Sequence, residues 1–289
     1  MTSFADTIVD WYDANARDLP WRRAGTVPWA VLVSEVMLQQ TPVGRVLPVW
    51  SAWLERWPIP AALAAATPGA AVRAWGKLGY PRRALRLHET AGLLVSRHGG
   101  LVPADVADLL ALPGIGGYTA RAVASFAFGQ RHAVVDTNVR RLTARALTGL
   151  ALPGRPSESV DRAVLEPVLP TDPGRAARFA AAAMELGATV CTARAPRCED
   201  CPVHRRCAWQ LAGRPPYDGP ARTTAGFVGT DRQVRGLLLD VLRASPDPVP
   251  TQELTSVWTD SVRRERALAG LIADGLMVPV AGGRYALPG

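Results

Sequence analysis

Apolar and small residues recur at the spacing of an α-helix along most of the chain. Between residues 83 and 97 they return every three or four positions, and the Gly99-Gly100 pair then ends the pattern. Pro28 precedes another densely apolar stretch and is a favourable residue for a first helical turn. No alternating strand pattern occurs before residue 220, so the first 210 residues are predicted to be all-α. Further helices are predicted over 30–40, 61–75, 119–128, 139–147 and 175–190.

A loop rich in glycine and proline at residues 213–220 predicts a boundary between this helical part and a small C-terminal module. Three helices and a terminal hairpin are typical of a winged-helix-like fold. Two interpretations of the module stay open. Its third helix carries Arg263, Arg264 and Arg266, which either read DNA or form the solvated basic face of a stabilising cap. The predicted elements are helices over 231–242, 251–258 and 261–276 and a hairpin of 277–280 with 284–287.

The composition narrows the class of protein. With 289 residues, of which 48% are hydrophobic and 20% charged, the chain can bury a core and has room for about two domains. No apolar run approaches the roughly 18 residues of a membrane helix, and the chain does not begin like a signal peptide. We therefore expect a cytoplasmic, nucleoid-associated protein with no membrane partner.

The formal net charge of +8 favours a polyanionic partner, and nucleic acid is the leading candidate. Lys77 is the only lysine among 33 Lys and Arg residues, a bias that codon usage in a GC-rich genome would also produce. Schiff-base chemistry is therefore restricted to Lys77 or the N-terminal amine.

All four cysteines fall within one short segment: Cys191, Cys198, Cys201 and Cys207. A cytosolic chain has little use for disulfides, so four clustered thiolates indicate a zinc ion or a [4Fe-4S] cluster. Zinc knuckles usually repeat a C-x2-C pair, which occurs here once, and this favours iron and sulfur. Four unrelated buried thiols are the remaining alternative.

A glycine-rich turn at residues 112–120 lies directly before a predicted helix. Gly114 and Gly116 allow a tight turn, and the N–H groups at the start of the helix can hold a phosphate. Because no strand precedes the turn, a dinucleotide-binding fold is excluded. A turn of this kind is similar to the helix-hairpin-helix element that binds a DNA backbone.

Two acidic residues, Asp136 and Glu35, are candidates for acid–base or charge-stabilising roles in catalysis. Asp136 directly precedes a predicted helix, so it is expected to cap that helix, and the capping bonds would also keep its carboxylate ionised. Glu35 interrupts an apolar helix, where burial would raise its pKa and let it hold a proton near neutral pH. The alternatives are a simple N-cap for Asp136 and a surface glutamate for Glu35.

Taken together, six segments resemble the helix-hairpin-helix DNA glycosylases, and most closely the adenine DNA glycosylases of the MutY type. They occur in the family's order between about residues 10 and 210. The matching segments are Leu19-Pro20-Trp21-Arg22, Ser34-Glu35-Val36-Met37-Leu38-Gln39-Gln40-Thr41, Leu78-Gly79-Tyr80, Leu112-Pro113-Gly114-Ile115-Gly116, Val135-Asp136-Thr137-Asn138-Val139 and the four cysteines.

The resemblance implies a fold and a domain order. The fold class is all-α: a helix-hairpin-helix glycosylase with a six-helix barrel and an iron–sulfur helical domain. Residues 1–27 and 132–213 would form the iron–sulfur domain, and residues 28–131 the barrel with its hairpin. Residues 221–289 would form the small winged-helix-like module.

The resemblance also implies an activity and its residues. The enzyme would act in base excision repair, flipping adenine out of mispairs with 8-oxoguanine or guanine and hydrolysing its N-glycosidic bond. Glu35 would be the general acid, and Asp136 would stabilise the oxocarbenium-like sugar with support from Tyr118 and Asn138. Double-stranded DNA containing A:8-oxoG or A:G would be its partner, and it would act as a monomer. The DNA contacts would come from Arg22, Gln40, Thr41, Leu78, Tyr80, Gly114 and Gly116.

The same resemblance assigns the four cysteines to a [4Fe-4S] cluster. A rival family, the endonuclease III type, shares fold and cluster but uses a lysine in the hairpin, where this chain has Tyr118. Because Lys77 is the only lysine, a monofunctional glycosylase is expected. A non-catalytic DNA-binding protein is the alternative from another class.

The chain departs from the family pattern at two places. Familiar members carry a Nudix-like C-terminal domain that checks for 8-oxoguanine, and residues 221–289 are too few to form it. Lesion recognition would then rest on Thr41, Leu78 and Tyr80, or on the C-terminal module. Pro81 stands where an aromatic residue often follows the tyrosine.

Overall fold

Helices make up most of the computed structural model, which describes residues 2–220 and 226–289. None of its described helices is both long and apolar enough to cross a bilayer. Strands occur only after residue 248 in the described ranges, which confirms the all-α prediction for the first 210 residues. The helices are α1 Phe4–Asn15, α2 Pro28–Leu38, α3 Val43–Arg56, α4 Pro60–Ala64, α5 Pro68–Trp75, α6 Arg82–His98, α7 Val106–Leu110, α8 Gly117–Phe128, α9 Thr137–Thr148, α10 Glu158–Leu165, α11 Pro173–Thr189, α12 Ala208–Leu211, α13 Asp231–Ala244, α14 Thr251–Thr255 and α15 Ser261–Ala273. The strands are β1 Val249–Pro250, β2 Val278–Val280 and β3 Arg284–Ala286.

Local chemistry explains where several helices begin and end. The alanine-rich stretch 61–75 forms two helices, because Thr67 accepts a hydrogen bond from the Ala70 N–H and starts α5 afresh. Gly99 ends α6 with a φ of 60°, as the glycine pair predicted. Helix α3 was not predicted, since Pro48 lies inside it and hides the pattern.

The chain folds into two compact units. The cysteine unit comprises residues 2–32, 103–111 and 115–220, and the Glu35 unit comprises residues 33–102, 112–114 and 226–289. This division differs from the predicted domains in three ways. Residues 28–32 lie in the cysteine unit and not in the predicted barrel. The hairpin helices belong with the cysteines, because α8 packs against α11. The C-terminal module belongs with the predicted barrel.

In the cysteine unit, α11 lies against α1, α8 and α9. Phe179 and Ile8 are fully buried in this core, and the alanines of α11 allow the neighbouring helices to approach closely. The charged residue Glu185 is buried in the same unit. The Glu185 side chain has no exposed surface and accepts hydrogen bonds from Arg17 at 2.9 Å and Arg22 at 2.6 Å. These bonds fasten the chain after α1 to the middle of the unit.

In the Glu35 unit, α4 and α5 pack against α6, and tryptophans fill the core beside them. The Trp53 ring meets Trp57 edge to face at 4.7 Å between centroids and Trp75 at 5.7 Å. Residues 33–38 of helix α2 belong to this unit and carry Glu35.

The C-terminal module, defined here as residues 226–289, has the predicted winged-helix-like order and one more strand. Its antiparallel sheet runs β1-β3-β2. The start of the predicted module, residues 221–225, lies outside the described part of the chain. Arg73 donates to the Leu242 carbonyl at 3.3 Å, and Lys77 pairs with Asp240 at 3.5 Å. The module is thus attached to the α5 side of its unit.

The arginines of α15 are bonded within the module. Arg266 makes a two-pronged pair with Asp231 at 2.6 and 2.7 Å, and Arg264 donates to the Trp258 carbonyl at 2.6 Å. Arg263 donates to the Gly229 carbonyl. These contacts favour the stabilising cap over the DNA-reading helix.

Candidate active site

Asp136 caps helix α9 as the sequence predicts. Its Oδ1 atom accepts hydrogen bonds from the backbone N–H groups of Asn138 at 2.9 Å and Val139 at 2.7 Å. The carboxylate is therefore fixed at the positive end of the helix, where a negative charge is stabilised.

The second oxygen of Asp136 is held through a chain of side chains. Asn138 donates from Nδ2 to Asp136 Oδ2 at 2.7 Å, and its Oδ1 accepts from Arg141 at 2.9 Å. Arg141 also donates to the carbonyls of Gly187 at 2.6 Å and Cys191 at 2.7 Å. The carboxylate is thus connected by hydrogen bonds to the start of the cysteine segment.

The electrostatic balance at Asp136 differs from the expectation. Burial raises the pKa of Asp136 above its ordinary value, although the bonds from Val139 and Asn138 and the charge of Arg141 act in the opposite direction. The capping bonds are confirmed, but they do not outweigh desolvation. Burial therefore destabilises the ionised form of Asp136, and a positive charge that formed beside it would stabilise that form.

Glu35 lies in the C-terminal half of α2 and is only 6% exposed. Leu32 and Val33 beside it are fully buried. Glu35 is therefore a buried carboxyl and not a surface glutamate, and its role as general acid stays a prediction. Glu35 belongs to the Glu35 unit, whereas Asp136, Asn138 and Tyr118 belong to the cysteine unit.

Tyr118 is the second residue of α8, the helix that follows the glycine-rich turn. It is half-buried and packs against the core of the cysteine unit. The role predicted for Tyr118, support of the Glu35 and Asp136 pair in catalysis, stays a prediction.

The four residues predicted to flank the DNA lesion separate into two kinds. Gln40 and Tyr80 are exposed, and both have positive φ angles, 55° and 47°. Thr41 and Leu78 are buried, and the Thr41 hydroxyl donates to the Leu78 carbonyl at 3.2 Å. Gln40 and Tyr80 are therefore the accessible pair, and the DNA contacts of all four residues stay predictions.

The glycine-rich turn shows why glycine is needed at one position. Gly114 has a φ of 76°, and an added Cβ would lie 3.1 Å from the Arg86 side chain. The Thr90 hydroxyl donates to the Pro113 carbonyl at 3.1 Å and holds the turn. Gly116 is the N-cap of α8 with an ordinary extended backbone. Phosphate binding by these two glycines stays a prediction.

Arg22 was predicted to contact DNA, and the structure gives its guanidinium an internal partner. It donates to Glu185 and stacks 5.8 Å from the Tyr12 ring, with 21% of its side chain exposed. The structure therefore gives Arg22 an internal structural role, and its contact with DNA stays a prediction.

The four cysteines line one small cavity and none forms a disulfide. Within the described ranges, no group of three or more Cys, His, Asp or Glu side chains has the arrangement of a metal site. Arg145 donates to Cys191 Sγ at 3.4 Å and stacks 4.9 Å from Trp209. Burial raises the pKa of Cys201 to about 12, so this thiol stays uncharged near neutral pH unless a cation is bound beside it.

Sequence reasoning missed Arg141 and Arg145. They stand one helical turn apart on α9, and Arg145 is only 4% exposed. The sequence signal that could have identified them is a pair of arginines on an otherwise apolar helix face. A buried guanidinium needs several hydrogen-bond acceptors, so such a pair predicts a polar site in the core.

Comparison with known proteins identifies the family. A model for HhH-GPD superfamily base excision DNA repair proteins matches residues 33–159. An adenine DNA glycosylase of Mycobacterium tuberculosis is 55% identical over 283 residues, covering 98% of this chain and 92% of that protein. The chain belongs to the adenine DNA glycosylase family.

Solved structures support the same fold. A thermostable thymine-DNA glycosylase matches with a TM-score of 0.64 and 26% identity, covering 72% of this chain and 95% of that one. An endonuclease III–DNA covalent intermediate matches with a TM-score of 0.61 and 23% identity, covering 72% and 94%. The helix-hairpin-helix glycosylase fold is confirmed.

Family membership decides between the alternatives left open by the sequence. Since the fold is shared with endonuclease III, it is the 55% identity that assigns this chain to the adenine glycosylases. The chain is an enzyme, a DNA glycosylase of base excision repair, and glycosylases are hydrolases. The non-catalytic alternative is set aside.

Proposed function

We propose that this glycosylase, acting as a monomer, removes adenine mispaired with 8-oxoguanine or guanine in double-stranded DNA. The observation that carries the proposal is the Asp136 carboxylate, which is held through both oxygens by the start of α9 and by Asn138. A carboxylate fixed in this way can face a positively charged sugar without reorganising, and such preorganisation is a main source of catalysis.

Glu35 supplies the proton in this mechanism. The N-glycosidic bond breaks more easily when the departing adenine is protonated, because the electron pair of the bond then leaves on a neutral base. The sugar becomes oxocarbenium-like, and Asp136 stabilises its charge until water adds. The raised pKa of Asp136 fits this role, since a nearby positive charge offsets the cost of its buried negative charge.

The adenine must leave the helix before this chemistry can occur, because the reacting bond is inaccessible inside a stacked duplex. The exposed Gln40 and Tyr80 are suited to occupy or border the gap that flipping leaves. Tyr80 offers a ring on which a base can stack.

A monofunctional reaction is supported by the lysine content. Lys77 is 83% exposed and pairs with Asp240 of the C-terminal module, and Tyr118 occupies the hairpin position of a lyase lysine. A Schiff base with the DNA sugar needs an amine at the reacting carbon. We therefore expect an intact strand with an abasic site as the product.

The four cysteines are proposed to hold a [4Fe-4S] cluster. Their thiols fit this group, since all four line one cavity and thiolates are its usual ligands. The cluster would stabilise the fold, because hydrolysis of a glycosidic bond moves no electrons. Arg145 would remain beside Cys191, where a cation stabilises thiolate charge.

Single-turnover incubation with duplexes containing A:8-oxoG, A:G, A:T and thymine glycol tests the proposed substrate. We expect adenine release from the first two duplexes, with strand breaks only after alkali. Release from A:T at the same rate would contradict the mispair preference. Attack on thymine glycol with spontaneous strand breaks would overturn the monofunctional assignment.

Replacing Cys198 with serine tests the cluster. The variant should lose the visible absorbance and most of about four irons per chain, and it should bind DNA more weakly. Glu199→Gln, at the neighbouring exposed position, is the matched control and should keep both properties. A colourless wild-type protein that contains zinc would contradict the proposal.

A further inference from the structure

Arg83 stands near the start of α6 and reaches two separate turns with one guanidinium. Nη1 donates to the carbonyls of Val36 at 2.8 Å and Gln39 at 2.6 Å. Nη2 donates to the Thr41 hydroxyl at 3.0 Å and to the Gly79 carbonyl at 3.0 Å. These bonds join the end of the Glu35 helix to the Gly79-Tyr80 turn.

The acceptors explain why an arginine is needed at this position. The carbonyls of Val36 and Met37 belong to the last turn of α2, where no N–H of the helix satisfies them. That end of a helix also carries partial negative charge, which a cation offsets. Only the planar fork of arginine presents enough donors to serve both turns at once.

The same two turns contain unusual backbone. Gln40 and Tyr80 have φ angles of 55° and 47°, which side chains with a Cβ rarely adopt. Tyr80 also precedes Pro81, and a residue before proline normally favours an extended backbone. Each of the two residues directly follows a carbonyl that Arg83 holds, that of Gln39 or Gly79.

The aromatic rings complete the arrangement. The Arg83 guanidinium lies 5.1 Å from the Trp75 ring centroid and 5.5 Å from that of Tyr80. Trp75 is fully buried and Tyr80 is 48% exposed, so the contact runs from the core to the surface. The Trp75 indole N–H also donates to the Gly79 carbonyl at 3.0 Å.

We propose that Arg83 is a positioning residue that fixes Gln40 and Tyr80 in one mutual arrangement and thereby determines how strongly the enzyme discriminates among the bases opposite adenine. This inference rests on the proposed function, in which those two side chains face the DNA. Backbone strain of this kind persists only where the surroundings enforce it, and it is concentrated at functional sites. Arg83 supplies the enforcing contacts, and in this proposal it acts through Gln40 and Tyr80 and not on the reacting bond.

The test replaces Arg83 with glutamine and with lysine, using Arg82→Gln as the matched control. Arg82 is the neighbouring residue, 56% exposed, and pairs with Asp274 at 3.2 Å. Excision is measured in single turnovers on duplexes with adenine opposite 8-oxoguanine, guanine and cytosine. The active fraction of each variant is measured separately, from the burst amplitude of a multiple-turnover reaction.

For Arg83→Gln we expect the preference for 8-oxoguanine over cytosine to fall at least about tenfold. Displaced Gln40 and Tyr80 side chains would distinguish the opposite bases less well, since small misplacements of positioning groups have large effects on rate. Arg83→Lys should recover little, since one ammonium cannot bond both turns. Arg82→Gln should keep the wild-type preference. A residue that only stabilises the fold would lower the active fraction and leave the preference unchanged, and that result overturns the proposal.

If the Arg83 variants do not fold, Thr41→Val removes one member of the same arrangement. The Thr41 hydroxyl accepts from Arg83 and donates to the Leu78 carbonyl, so its loss should lower the preference in the same direction. An unchanged preference in folded Thr41→Val overturns the inference. A wild-type enzyme without mispair preference would instead contradict the proposed function.

Discussion

Replacement of Glu35 by glutamine is expected to reduce adenine excision by about 10²- to 10⁴-fold, the usual contribution of a general acid. Glutamine keeps the size and hydrogen-bonding shape of the side chain but cannot donate an acidic proton to the departing base. Since the residue is only 6% exposed, little of its surface is available to contribute to DNA affinity. Single-turnover rates and equilibrium binding to an A:8-oxoG duplex measure the two effects separately.

The control is Glu55→Gln on helix α3, which makes the same chemical change at an exposed position. It should excise adenine at the wild-type rate. Full activity in Glu35→Gln would remove this residue from the mechanism. Equal losses of binding and excision would assign it to substrate affinity.

Replacement of Glu185 by glutamine should lower the free energy of unfolding by about 2–3 kcal/mol near neutral pH, since breaking a buried ion pair leaves its partners uncompensated. The effect stays below that of a fully buried pair, because Arg17 and Arg22 keep 41% and 21% of their side chains exposed. Denaturant unfolding of the purified enzyme, followed by circular dichroism, measures the difference.

The pH dependence of this difference has a definite sign. Burial alone would raise the pKa of Glu185, but the hydrogen bonds from Arg17 and Arg22 outweigh it, and the pKa lies below its ordinary 4.5. A lowered pKa contributes stability above the unfolded-state value and loses it as the pH falls through the folded-state value. The gap between wild type and Glu185→Gln should therefore be constant above about pH 5.5 and shrink below pH 4.5.

Glu166→Gln provides the matched control for this prediction. Glu166 pairs with Arg131 at 2.5 Å, but 48% of its side chain is exposed, so its loss should cost less than about 1 kcal/mol. Equal destabilisation by the two substitutions would show that the Glu185 pair has no special weight. A gap that widened on acidification would contradict the assigned pKa direction.

The sequence predicts most helices because their ends carry explicit local chemistry. Pro28, Asp136 and the Gly99-Gly100 pair mark helix ends that the structure confirms. Helix α3 was missed because packing of its tryptophans overrides the proline within it. The assignment of the hairpin helices to the cysteine unit depends on contacts between distant segments, which periodicity does not encode.

The sequence predicts those residues of the candidate site whose role follows from their type and position. It predicts less well the residues that hold them in place through hydrogen bonds. The capping role of Asp136 follows from its position before a helix. The arginines that hold the site, Arg83 and Arg141, were not predicted, because their acceptors are mostly backbone carbonyls and carbonyls have no sequence identity. The net pKa direction of Asp136 likewise depends on burial by distant residues.

Residues 287 and 288 pack against the start of α5, where Gly69 has no side chain to keep them away. The Gly69 N–H donates to the Pro288 carbonyl at 2.7 Å, and a Cβ at position 69 would lie 2.4 Å from that oxygen and 2.9 Å from the Leu287 Cβ. An alanine at position 69 would clash with both atoms and displace residues 287 and 288. A chimaera that joins residues 287–289 to another glycosylase therefore needs glycine at the matching helix start.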